Sequence, residues 1–149
     1  MGSMSASRVP RYTRILKYSL LAGALYFLAV ALAHLGQVKV PGLYIYYDLP
    51  SLGYQDSVIA ILAFGWATFY FTAFTSPERN RGLIVAILIS GALAILGLCS
   101  INARQDVHPT AGEAGRSVYW LETAALFVYW LWLLSFHTLA GWRAPSPEE

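Results

Sequence analysis

The sequence predicts an all-α integral membrane protein: a bundle of four transmembrane helices beneath a structured, Tyr-rich outer loop. Three observations carry this. Hydrophobic residues make up 57% of the 149 and charged residues only 12%, about half the charge that a soluble domain uses to keep its surface hydrated. Four apolar stretches each come close to or exceed the roughly 20 helical residues that cross a hydrocarbon core. None alternates apolar and polar residues along its length, and a backbone in lipid must bond to itself, which leaves helices. The same composition excludes an ordinary soluble enzyme and a disordered chain. A net charge of +2 is too small for a phosphate-backbone partner, so nucleic acid is excluded too. With Cys99 as the single cysteine, no internal disulfide, CxxC redox pair or thiolate-rich metal site can form.

The first span covers about 15–35. Arg8, Arg11, Arg14 and Lys17 lie before and within its opening turn and suit anionic headgroups. With Ala31-Leu32-Ala33 they imitate a secretory signal, but the apolar run is longer than a signal's core. The second span, about 57–75, carries Phe64, Trp66, Phe69, Tyr70, Phe71 and Phe74 on all faces. Some of those rings must therefore meet protein or a flat hydrophobic ligand. Segment 76–81 reads as a tight turn, because Pro77 stops the second helix and forces an antiparallel neighbour. The third span, about 82–101, has small residues at every fourth position, Gly82, Ala86, Ser90 and Ala94. Such a row permits close helix approach, and with four helices to pack it is read as internal, an oligomer contact being the alternative. The fourth span covers about 118–142, with Trp120 and Trp142 near its ends as interfacial anchors.

The chain is thus one transmembrane domain over residues 1–149. Seven basic residues (Arg8, Arg11, Arg14, Lys17, Arg79, Arg81, Arg143) fall on one side and three (Lys39, Arg104, Arg116) on the other. That asymmetry predicts a multi-pass protein with both termini in the cytoplasm. The tail 144–149 reads as disordered.

The outer connections differ in kind. Segment 36–56 is apolar and aromatic, with a Pro41-Gly42 turn signal and β-branched and aromatic residues suited to a short hairpin. So apolar a loop is expected to fold down as a cap over the helix ends, or else to offer Tyr44, Tyr46 and Tyr47 to a partner. Segment 102–117 contains Asn102, Arg104, Asp106, His108 and Arg116 and reads as a solvated loop.

Glu122 is the one acidic residue well inside a predicted span. Carboxylates there are expensive and usually face the bundle interior or a cavity. At 3.6 residues per turn Tyr119, Glu122, Leu126, Tyr129, Leu133 and His137 share one stripe, with Trp120 opposite. Glu122, with Tyr119 and Tyr129, is therefore the candidate ligand or proton site, a structural pair with Arg104, Arg116 or a Tyr hydroxyl being its plainer role. If the bundle closes, His34, Asp56 and Glu122, with His108 nearby, meet at one membrane surface. That donor set suits zinc or a non-haem metal. His34 and His137 fall at opposite membrane faces and cannot share a haem. No motif names a cofactor.

Three function classes follow in order. The first is a non-enzymatic accessory or assembly subunit of a larger membrane complex, partnered by lipid and by other subunits or copies of itself. The second is a binding protein or transporter for a hydrophobic small molecule, with Glu122 as polar contact. The third is a membrane enzyme or metal protein built on the His/Asp/Glu cluster.

Overall fold

The apolar stretches form four α-helices: α1 (Arg11–Leu35), α2 (Gly53–Thr75), α3 (Arg81–Ala103) and α4 (Glu113–Leu139). All four are long and apolar enough to cross a membrane. The structure is a computed structural model describing residues 11–47, 49–104 and 113–140, the side chains of 113–116 excepted. Asp106, His108, the Arg116 side chain, Arg143 and the tail lie outside the described residues. α4 begins five residues earlier and ends three earlier than its sequence pattern indicates, so part of the expected polar loop is its first turn.

The helices form a ring. α1 packs on α2 and α4, and α3 on α4 and α2, while the backbones on each diagonal stay apart. Packing is most extensive between α1 and α2, where Gly23, Ala24 and Ala31 of α1 and Ala60, Ala63, Ala67 and Ala73 of α2 are buried. Small side chains let two backbones close in where lipid supplies little drive for association. α2 and α3 are joined by the turn at 76–80 yet pack least of all neighbours. Pro77 is fully buried in that turn, and Asn80 Nδ2 donates to the carbonyls of Thr72 and Ser76, closing the end of α2.

Leu16, Leu20, Ala73, Ile84 and Leu133 fill the half of the ring nearest this turn. Trp130 Nε1 donates to Leu88 O, tying α4 to α3, and Tyr129 OH donates to Ser19 O, tying α4 to α1. The stripe expected on α4 is inward: Tyr119 and Leu133 are buried and Glu122, Leu126, Tyr129 and His137 half-buried, while Trp120 is exposed. The aromatic group of α2 divides as its many faces require. Trp66 and Tyr70 pack on Phe27 of α1, and Phe69 and Phe71 point outward.

Two expectations are corrected. The small-residue row of α3 is not internal: Gly82, Ala86 and Ala94 are exposed and Ser90 half-buried. α3 turns Ile84, Ile87 and Leu88 inward instead, because loosely spaced helices need bulk between them to avoid voids. The loop after α1 is not a hairpin. Its backbone bonds are local, Leu43 N and Tyr44 N donating to Val40 O and Leu49 N to Tyr46 O, so it is a chain of turns that can follow the mouth of the ring.

α1 ends in a Schellman arrangement, Val38 N donating to Ala33 O and Gln37 N to His34 O. The left-handed residue is Gln37, at φ 54°, where glycine is the unstrained choice. Gln37→Gly should therefore stabilise the protein by about 0.5–1 kcal/mol, read as a higher melting midpoint in detergent. An unchanged or lower midpoint would show that Gln37 makes good its backbone cost.

A capped cavity as the candidate functional site

Local structure sets the site. The Schellman end of α1 holds His34 two residues before the chain turns, and the start of α2 places Asp56 in its first turn, where the helix dipole favours a negative charge. The two meet at the loop end of the bundle: Asp56 Oδ1 accepts from His34 Nδ1 at 3.0 Å and Oδ2 accepts from Ser51 Oγ at 2.9 Å. Both residues are buried, His34 7% and Asp56 3% exposed. Tyr44 lies flat on the imidazole, ring centroids 3.6 Å apart, and donates to Ala33 O. Lys39 donates to Leu49 O, drawing the loop together, and its ammonium acts on the Asp56 carboxylate.

The loop is pinned at two further points. At Val40-Pro41-Gly42-Leu43 the chain turns with Gly42 at φ 85°, the conformation required at the third position of a type II turn. The Gly42 peptide is held on both sides, its N–H donating to Glu122 Oε1 at 2.7 Å and its carbonyl accepting from Tyr26 OH at 2.9 Å. Further along, Tyr46 OH donates to Asn102 Oδ1, and Asn102 Nδ2 donates to Thr123 Oγ1. Burial and then the Asp56 carboxylate push the Tyr44 hydroxyl above its ordinary pKa. Burial alone does so for Tyr46. Both therefore remain protonated donors.

Beneath this cap is a cavity of about 490 Å³, within the range of small-molecule sites. All four helices line it: Phe27 and Val30 from α1, Tyr70 from α2, Ile87 and Leu98 from α3, Leu126 and Trp130 from α4. His34, Asp56 and Ser51 line its capped end, and Tyr70, Tyr129 and Trp130 line it deeper in the bundle. Ile59 of α2 and Ala94 of α3 line the cavity and are also exposed, as are Pro50 and Ser51 of the loop, so it opens between the two least packed helices and beside the loop before α2. A second cavity of about 320 Å³ lies between α1 and α4, lined by Gly23, Tyr26, Gly42, Glu122 and Tyr129.

The residues singled out from sequence thus fall in different places. His34 and Asp56 are in contact, but Glu122 is on the other cavity. No group of three His, Cys, Asp or Glu able to hold a metal occurs among the described residues. One partner of Glu122 is the backbone amide of Gly42; the Arg116 side chain, also considered as its pair, lies outside the described residues. Tyr129 lines both cavities. Tyr119 lines neither, being fully buried with its ring edge-on to Tyr46. Of the tyrosines considered as a partner surface, Tyr44 is 4% exposed, and Tyr46 and Tyr47 are half-buried: an apolar loop gains more by covering the ring than by standing in water. His137 lies beside Arg81 at the opposite end from His34.

Sequence reasoning missed Ser51, Asn102 and Thr123. Asn102 was legible in principle, since it continues the inward series Ile84, Leu88, Gly91, Ile95, Leu98 by one more helical step. Ser51 carries no such signal. Comparison with protein families, curated proteins and solved structures gives no match to this chain.

Proposed function

We propose that this is a multi-pass membrane protein that binds a lipid-soluble small molecule in the cavity between its helices. The observation that carries the reading is the cavity itself: apolar over most of its wall, with a few polar groups including His34, Asp56 and Ser51 near its capped end, and roofed by a loop anchored to three helices. A space of this size lined by aliphatic and aromatic residues has no role in packing, and each unfilled volume element costs stability. The charge asymmetry orients both termini to the cytoplasm and the cap to the outer side. The opening between α2 and α3 then faces lipid, the phase in which such a ligand is dissolved. Glu122 serves the site indirectly, by holding Gly42 in the cap.

A second reading, an accessory subunit of a larger complex or a homo-oligomer, draws support from α3. Its outward row of Gly82, Ala86 and Ala94 is the kind of surface on which another helix packs closely.

Native mass spectrometry on gently extracted protein tests both. The binding reading expects multiples of 16.4 kDa carrying a small non-lipid adduct, lost in Ile95→Trp, where an indole would occupy the cavity. Adduct-free protein accompanied by other polypeptides would overturn it in favour of the subunit reading.

A further inference from the structure

Four residues line both cavities: Tyr26 of α1, Ile45 of the cap, and Leu126 and Tyr129 of α4. They stand between the two spaces, and each space also reaches the outside of the bundle. The first opens between α2 and α3, at Ile59 and Ala94. The second is lined by Ala22 of α1 and Ala125 of α4, both exposed. In a ring ordered α1, α2, α3, α4 those two seams lie on opposite sides.

The four dividing residues are not held alike. Tyr26 OH donates to Gly42 O at 2.9 Å and Tyr129 OH to Ser19 O at 2.8 Å, so both rings are tethered at their far ends. Ile45 and Leu126 are half-buried aliphatic side chains, and packing alone selects among their staggered rotamers. Their backbones are fixed. Ile45 stands between Tyr44 and Tyr46, which are bonded to Ala33 O and Asn102, and Leu126 is at the middle of α4. A change of rotamer at these two positions therefore parts the wall without unmaking a hydrogen bond or moving a helix, and the space on either side gives it room. Unfilled space leaves the atoms around it without dispersion partners, so a molecule that fills both spaces is held more tightly than one that fills either.

We infer that the two cavities are one binding site, a passage through the bundle beneath the cap, with Ile45 and Leu126 as the side chains that part to admit a ligand. The class it fits is a flexible single-chain molecule, alkyl or isoprenoid, narrow enough to thread between two side chains. A rigid polycycle is confined to the larger space. This rests on the cavity reading above and deepens it by giving the shape of molecule bound.

The test uses two isoprenoid alcohols, geraniol and geranylgeraniol, the second with twice the chain length. Each is added to the full chain in lipid nanodiscs, and the molecules retained are counted by native mass spectrometry. A single passage predicts two geraniols per chain or one geranylgeraniol, and no geraniol on top of a bound geranylgeraniol. Leu126→Phe puts a ring into the wall and should weaken geranylgeraniol about tenfold, the effect of an overpacked contact, while two geraniols still bind. Ile95→Trp fills the first cavity alone and should leave one geraniol and no geranylgeraniol. A complex holding both alcohols, only one geraniol at saturation, or geranylgeraniol binding untouched by Leu126→Phe overturns the single passage and leaves the cavity reading standing. Binding of neither alcohol overturns the cavity reading itself, as does retention of two geraniols by Ile95→Trp, which would put them outside the cavities. Should Leu126→Phe not fold, the count of the two alcohols on the unaltered chain still decides.

Discussion

Gly23→Ala is expected to destabilise the protein by about 1–3 kcal/mol, although alanine is the better helix former. A Cβ at Gly23 would stand 2.5 Å from the Tyr129 hydroxyl and 2.5 Å from two ring carbons of Tyr70, where carbon atoms rest at roughly 3.5–4.0 Å. Ring carbons cannot swing aside as the end of a flexible chain does, so α1 must shift from α2 or both tyrosines must move. Moving Tyr129 also strains its bond to Ser19 O, and both rings line the central cavity. The expected result is a lower melting midpoint together with loss of ligand retention. Gly65→Ala is the control: nothing lies within 4 Å of a Cβ there, so the helix should gain about 0.5–1 kcal/mol. Equal midpoints for the two variants would show that the α1–α2 approach is not as close as described.

Asp56→Ala should also destabilise the protein, by about 1–3 kcal/mol, the loss when a buried donor is left without its acceptor. The Asp56 carboxylate, itself 3% exposed, accepts from His34 and from Ser51, and alanine leaves the buried His34 donor and the exposed Ser51 hydroxyl without that acceptor. The damage should be directional. Ser51 stands next to α2 and the His34 ring carries Tyr44, so the cap loses two of its supports. The supports at Gly42–Glu122 and Tyr46–Asn102 remain. Hydrogen exchange should accelerate over 43–52, with the turn at 76–80 unaffected. Uniform acceleration along the chain would instead mean global loosening, and no change would remove Asp56 from the cap's support.

How far the candidate site was legible depended on what each residue's signal was. The stripe through Glu122, Tyr129 and Leu133 follows from helical periodicity, because a carboxylate and two hydroxyls on one face of an apolar helix have only one low-energy side to turn to. His34 and Asp56 could be assigned to one end of the bundle from span ends alone. That they touch, and that Glu122 does not join them, could not be read. Glu122 reaches a glycine amide 80 positions away, and a backbone N–H has no identity in a sequence. The outward row on α3 was misjudged for a related reason: a line of small residues states that an approach is possible, not which neighbour takes it up.

Composition and hydropathy were therefore enough to establish four apolar helices, the tight turn at Pro77, the inward face of α4 and a loop too apolar to stand free. Those are properties of single segments, set by local periodicity and by the free energy of moving apolar surface out of water. The cavity belongs to no segment. It exists because α1 and α2 close on their glycine and alanines while α2 and α3 do not, and because the cap is tied to three helices at once. Pair distances of that kind are decided when all four helices compete for the same contacts, so the volume left between them emerges only in the assembled bundle.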